Sequence, residues 1–269
     1  MPEGNEVHRH AAQHEQLFGG RVITVDAPNG RFEEGAALLN RRRLKSVEAY
    51  GKHLFYHFGS DRHLHIHLGL YGKFRTGELP YPEPRGALRL RFSSRQHWLE
   101  LRGPTACEVL TEGERDKLVA RIGPDPLRED SEASQAVIRI TSSRAPIGAL
   151  LMDQSVISGI GNIYRAELLF RARLNPFRPG NSISKKDVMK LWKEAAQLLR
   201  AGMIDRRIVT TRPAERPHRT GKARRGETHY VYRRFRLPCF ICGTEISRQE
   251  FIGRKLYWCP ECQPAMKSE

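Results

Sequence analysis

Cys239-Phe240-Ile241-Cys242 and Cys259-Pro260-Glu261-Cys262, with sixteen residues between them, decide how the end of this chain folds. Two Cys-x2-Cys knuckles at that spacing offer four thiolates to one tetrahedral zinc ion. Four protein ligands leave no open coordination position, so the ion organises a module and performs no chemistry. A disulfide framework is the weaker reading, because four of the five cysteines form two tight pairs and the chain shows no secretory signal. Cys107, the fifth, follows Gly103-Pro104-Thr105 in an expected strand region and reads as an ordinary buried thiol.

Immediately before the knuckles the charge concentrates. Residues 206–236 hold eleven Lys and Arg against Glu215 and Glu227, a net +9 that is over half of the chain's +16. Pro213, Pro217, Gly221 and Gly226 lie among them, so the segment reads as a mobile basic loop containing Arg224 and Arg225. Its natural partner is a polyanion, and nucleic acid fits better than membrane because no amphipathic apolar face accompanies the charge. A solvated tail is the alternative. With 269 residues, 39% of them hydrophobic, the chain can build one large or two smaller cores, and no run of 18 apolar residues suggests a membrane span.

Further upstream the chain changes character. Asn5 is placed to cap a helix carrying Val7, Ala11 and Leu17 that Gly19-Gly20 ends. Six short runs then follow, at 22–25, 44–50, 53–58, 63–68, 88–92 and 98–101, divided by Gly, Pro, Asn and Asp. They predict an antiparallel sandwich or barrel. After Gly123-Pro124-Asp125-Pro126 helical periods dominate as far as Gly202, with Ser184 and Asp187 forming a capping-box variant ahead of Val188, Leu191, Trp192, Ala195, Leu198 and Leu199. The boundary falls at residues 122–135. The resulting division is a β-domain over 1–125, a helical domain with the basic loop over 126–236, and a zinc finger over 237–264.

Four short stretches are candidates for chemistry. If Met1 is trimmed, the chain begins with the secondary amine of Pro2, followed by the carboxylate of Glu3. An amine can attack a carbonyl-level carbon, and a neighbouring carboxyl can shuttle protons; a plain solvated terminus is the alternative. Gly51-Lys52-His53 puts a lysine at the start of an apolar strand, either as a functional cation or as a charge that deters edge pairing. In His65-Ile66-His67-Leu68-Gly69-Leu70-Tyr71-Gly72, a hairpin tip would expose Leu70 and Tyr71 as a wedge for a base stack, unless the pair is buried. Gly159-Ile160-Gly161-Asn162, between an apolar helix ending near Val156 and another running to about Arg171, could cradle a phosphate or be a plain interhelical turn.

Together, Pro2-Glu3-Gly4, Gly51-Lys52-His53, Gly159-Ile160-Gly161-Asn162-Ile163-Tyr164-Arg165 and the four cysteines resemble the formamidopyrimidine-DNA glycosylase/endonuclease VIII family, from residue 2 to Gln263. The resemblance implies an α+β fold: an N-terminal antiparallel β-sandwich, a helical domain with a helix-two-turn-helix motif, and a four-cysteine zinc finger, with damaged double-stranded DNA as partner. It implies an enzyme of base excision repair, a DNA glycosylase and abasic-site lyase. Pro2 would be the nucleophile at C1′ of a damaged nucleotide, Glu3 the proton carrier for sugar-ring opening, and β and δ elimination would leave a one-nucleotide gap. Lys52 and Asn162 would grip phosphates beside the lesion, and Arg254, between the cysteine pairs, would clamp them. Cys239, Cys242, Cys259 and Cys262 would hold structural zinc.

Leu70-Tyr71-Gly72 resembles the void-filling loop of the endonuclease VIII branch, in its actinobacterial form, which favours oxidised pyrimidines. Gly69 stands where that branch often has glutamine, and Asn5 replaces a common proline. The alternatives are an oxidised-purine glycosylase and a non-catalytic damage-binding protein on the same scaffold. A monomer working in the bacterial cytoplasm, away from membranes, completes the expectation.

Overall fold

A computed structural model describes residues 2–59 and 61–265 and divides the chain into two units, Met1–Arg121 and Ile122–Glu269. The trimming expected at Met1 falls outside the described residues. In the first unit, buried positions at helical spacing (Val7, His10, Ala11, His14 and Phe18) give α1, Gly4–Phe18. The helix begins earlier than an Asn5 cap would allow. Glu3 takes the cap position with extended backbone, its carbonyl accepts the amides of Glu6 (3.0 Å) and Val7 (3.2 Å), and Asn5 lies buried inside the first turn.

The chain continues through β1 (Val22–Asp26), α2 (Glu33–Leu39), β2 (Arg42–Arg43), β3 (Ser46–Tyr50), β4 (His53–His57), β5 (His63–His67), β6 (Lys73–Glu78), β7 (Leu88–Ser93), β8 (His97–Arg102), β9 (Ala106–Leu110) and α3 (Glu112–Val119). Two antiparallel sheets result, ordered β2-β1-β7-β8-β6 and β3-β4-β5-β9. Ile23, Val25, Leu90, Phe92, Leu99 and Leu101 from the first sheet share one core with Val47, Leu54, Tyr56, Leu64 and Ile66 from the second. This is the expected sandwich. At about 1.5–3 kcal/mol per buried large apolar side chain, that core supplies the main driving force for the unit.

All six expected strand runs form, β9 takes up the strand region expected around Cys107, and β2 and β6 are additional. Each additional strand is a sheet edge, where one side has no partner and the sequence needs no apolar run. Pairing of His53 with His67, Phe55 with His65 and His57 with His63 puts five histidines on the face of β4 and β5 turned away from Leu54, Tyr56, Leu64 and Ile66.

The second unit contains α4 (Ala133–Thr141), α5 (Ile147–Leu150), α6 (Asn162–Arg171), α7 (Lys185–Ile204) and a hairpin of β10 (Ser247–Phe251) and β11 (Arg254–Trp258). Ser184 caps α7 as expected: its hydroxyl accepts the Asp187 amide (3.1 Å) and donates to the Asp187 carboxylate (2.8 Å). The apolar helix expected to reach Val156 stops at Leu150. Asp153 accepts the backbone and hydroxyl of Ser155 (2.8 and 2.6 Å), a local side-chain bond that competes with helix continuation.

α6 is apolar on opposite sides. Tyr164, Leu168 and Leu169 join the core formed with α4, α5 and α7, while Ala166 and Phe170 pack with Tyr230, Val231, Ile246, Tyr257 and the buried cysteines. Between these faces Glu167 is fully buried. Its carboxylate accepts the amides of Tyr230 (2.7 Å), Val231 (2.9 Å) and Tyr232 (2.8 Å) and the Thr210 hydroxyl. Residues 206–236 are therefore not the loose loop their composition suggests. Both ends of the segment are tied to α6, and Thr210, Thr211, Arg216 and Tyr230 are buried.

At the end of the unit the sulfurs of Cys239, Cys242, Cys259 and Cys262 all lie within 4.8 Å of one another. A tetrahedral ion with metal–sulfur bonds of about 2.3 Å needs sulfurs about 3.8 Å apart, so the cluster fits zinc. Elemental analysis should find one zinc per chain, and chelation should unfold the hairpin; active protein without zinc would contradict the assignment. Glu167→Gln should lower stability by about 1–3 kcal/mol for each buried donor left unpaired and should open 206–236 to proteases. An unfolding midpoint equal to wild type would show that the carboxylate is dispensable.

Candidate nucleic-acid site

The N-terminus of α1 collects the first group of expected residues. Pro2 is half-buried just ahead of the helix, and Glu3 is 1% exposed. The unpaired amides of the first helical turn carry partial positive charge and favour a carboxylate here. The sequence reading singled out Pro2 and Glu3 but passed over Glu6 and His10, which lie 3.8 Å apart one turn further on. The neighbouring His10 imidazole holds the Glu6 carboxyl below the ordinary carboxylate range. Their i, i+4 spacing was the available signal.

Lys52 stands in the two-residue turn between β3 and β4. Gly51 takes φ of 58°, a left-handed conformation that suits glycine at this tight turn. Lys52 thereby sits against His53 and His67, whose rings are 4.8 Å apart. Burial, with help from His65, His67 and Lys52, pushes the His53 imidazole down to about 3. Burial, with His65 and Lys52 nearby, lowers His67 as well. Lys52 is thus flanked by two neutral rings able to donate or accept hydrogen bonds, a setting that only the strand register reveals.

Leu70 and Tyr71 are 46% and 79% exposed, which removes the reading of a buried pair. They do not sit on a hairpin tip, however. β5 belongs to the four-stranded sheet and β6 to the five-stranded one, so their connection crosses from sheet to sheet. Gly69 has φ of 65°, and a Cβ there would stand 1.8 Å from the Thr105 hydroxyl. That contact explains why no larger residue occupies the position.

In the second unit Asn162 is the first residue of α6, behind Gly161 in extended conformation. Its amide donates to the Lys255 carbonyl (3.0 Å) and its oxygen accepts from Arg165. Asn162 is therefore joined to the β10–β11 hairpin at the residue following Arg254. Ile252 (φ 51°) and Gly253 (φ 64°) form the turn that opens into Arg254. A β-branched residue in the left-handed region is strained, and Ile252 is also 63% exposed. Arg224 and Arg225 are both exposed. Arg224 is committed within its own loop, where its guanidinium meets His218 (2.6 Å), which in turn contacts Glu227 (2.5 Å). Among the described residues no helix is long and apolar enough to cross a membrane.

Comparison with known proteins matches three stretches of the chain. Residues 1–105 match the formamidopyrimidine-DNA glycosylase N-terminal domain, 122–212 the formamidopyrimidine-DNA glycosylase H2TH domain, and 236–265 the zinc finger found in FPG and IleRS. The chain is 44% identical over 267 residues to endonuclease 8 1 of Mycobacterium tuberculosis, an alignment covering 98% of this chain and 100% of the relative. It is 31% identical over 269 residues to formamidopyrimidine-DNA glycosylase of Thermus thermophilus, covering 98% of each. Wild-type Lactococcus lactis Fpg (MutM), solved with a DNA containing N7-benzyl-Fapy-dG, superposes with a TM-score of 0.81 at 25% identity, covering 98% of this chain and 100% of the other. From the Pro2 end of α1 to the four-cysteine hairpin, the chain belongs to the formamidopyrimidine-DNA glycosylase/endonuclease VIII family of DNA glycosylases.

Proposed function

We propose that this glycosylase removes oxidised pyrimidines from duplex DNA and cuts the strand by successive β and δ elimination through an iminium on Pro2. The observation that carries the reading is a proline at position 2, whose nitrogen is a secondary amine once Met1 is removed, directly followed by a buried carboxylate at the positive end of α1. A free α-amine has an ordinary pKa of about 8, so a useful fraction is neutral near pH 7. The Pro2 nitrogen attacks C1′ and the damaged base departs. Glu3 passes a proton to the ring oxygen, which opens the sugar and leaves the iminium. That cation acidifies C2′, so loss of the C2′ proton expels the 3′ phosphate, and a second elimination expels the 5′ phosphate.

Eversion of the nucleotide costs a few kcal/mol and leaves a void in the stack. Leu70 and Tyr71, exposed on the sheet crossover, fill it. Lys52 and Asn162 hold phosphates beside the lesion, and Arg254 clamps them, its planar fork suited to bidentate contact. Arg225, and Arg224 in so far as its bond to His218 allows, add affinity that is independent of sequence. On this reading residues 1–125 carry the chemistry, 126–236 grip the duplex and 237–264 complete the clamp. The preference for pyrimidines rests on the exposed Leu-Tyr pair and on the higher identity to the relative named endonuclease 8 than to the formamidopyrimidine-DNA glycosylase.

Single-turnover excision should be faster on thymine glycol than on 8-oxoguanine duplexes, with phosphate left on both sides of the gap. The reverse order would favour the oxidised-purine reading. Leu70→Ala and Tyr71→Ala should slow excision at thymine glycol roughly tenfold or more, about 1.4 kcal/mol of lost transition-state support, while sparing a pre-formed abasic site. Lys52→Ala should slow both reactions. Equal losses on the two substrates for the Leu70 and Tyr71 variants would remove them from the base stack.

A further inference from the structure

The first sheet gathers three guanidinium groups that the chemistry above does not use. β1 lies between β2 and β7, pairing Val22 with Arg43 and Thr24 with Ser93. That register brings residues from three separate parts of the sequence to one place. There Arg21, Arg43 and Arg95 line a cavity of about 410 Å³ together with Gly20, Val22 and Gln96. All three arginines are exposed, and among the described residues none has a carboxylate partner.

Part of the arrangement serves α1. Its last turn contains no basic residue, and Arg21 donates to the carbonyls of Gln16 (3.0 Å) and Gly19 (3.5 Å) while Arg43 donates to that of Gly20. These bonds offset the negative end of the helix dipole. They also fix two guanidinium groups in place, each with donors to spare. Helix capping leaves Arg95 unexplained, since it arrives from the β7–β8 turn. Three like charges without carboxylate partners repel one another around one cavity, and an oxyanion relieves that repulsion.

We propose that Arg21, Arg43 and Arg95 form a second site for the phosphate backbone of DNA, remote from the reacting nucleotide and indifferent to the lesion. The inference rests on the reading of this chain as an enzyme acting on duplex DNA. Pro2 precedes α1 and Gly20 follows it, so the two sites lie a helix length apart, about 22 Å for 15 residues. That span equals about six or seven base-pair steps of 3.4 Å. Exposed Val22 beside the arginines offers apolar contact to a deoxyribose. The phosphates can belong to the flank of the same duplex or to a second duplex.

The test compares Arg43→Ala/Arg95→Ala with wild type and with a charge-matched control, Lys117→Ala/Arg121→Ala, on lesion duplexes carrying about five or about fifteen base pairs on either side. If the flank of the same duplex is bound, the slope of log affinity against log salt falls by about 0.9 per lost contact on the long duplex only. If a second duplex is bound, one-to-one affinity is unchanged, but the wild-type rate of transfer to competitor duplex, which rises with competitor concentration, becomes concentration-independent in the variant. In both cases excision at saturation and the control pair stay at wild-type values, and Arg43→Lys/Arg95→Lys restores much of the effect. Unchanged slope and unchanged transfer, with excision intact, would overturn the proposal. Failure of the wild-type protein to excise any base would instead strike the glycosylase reading.

Discussion

In the second unit, the buried carboxylate of Glu167 ties the basic segment to α6. Glu167 has no water to solvate it and accepts instead three consecutive backbone amides and a threonine hydroxyl from residues 210–232. Each of those donors would cost about 1–3 kcal/mol if buried unpaired, so the carboxylate and the segment stabilise one another. The same helix presents Ala166 and Phe170 to the cysteine hairpin and, at its first residue, joins Asn162 to the Lys255 carbonyl. Three segments far apart in sequence are thus fixed by α6. Gln263 adds a lock at the far end, accepting the Cys259 amide, donating to Leu174 and receiving Asn175 at its carbonyl.

The first unit is organised by the two ends of α1. At the start, extended backbone at Glu3 leaves amides and partial positive charge beside Pro2. At the end, carbonyls of Gln16, Gly19 and Gly20 receive Arg21, just ahead of β1, and Arg43 of β2. The helix lies on β3 and β4, the strands whose turn presents Lys52. The position of Lys52 relative to the reacting amine is therefore set by the same core that stabilises the sandwich, so loosening that core would reach the chemistry.

Much of this was legible in the residues alone. Four cysteines at fixed spacing, a capping box at Ser184 and alternating apolar runs each encode a local structure that tertiary contacts do not override. What stayed hidden depended on partners distant in sequence. Edge strands such as Lys73–Glu78 carry no apolar run because one side faces solvent. The segment 206–236 has the composition of a loose loop, yet Glu167, roughly forty to sixty-five positions earlier, ties both of its ends to α6. The Leu70-Tyr71 crossover resembled a hairpin tip because sequence does not say which sheet the next strand joins. Likewise the histidines beside Lys52 and the arginines beside Arg43 meet only through register.

The central claim is that Pro2 bonds covalently to the sugar. Borohydride reduction of the protein mixed with abasic duplex, followed by digestion and mass spectrometry, locates the bond directly. The account predicts that the deoxyribose remnant is on the nitrogen of Pro2 in chains lacking Met1 and that Pro2→Gly sharply reduces trapping. A remnant found on a lysine such as Lys52, or trapping undiminished in chains that retain Met1, would contradict it.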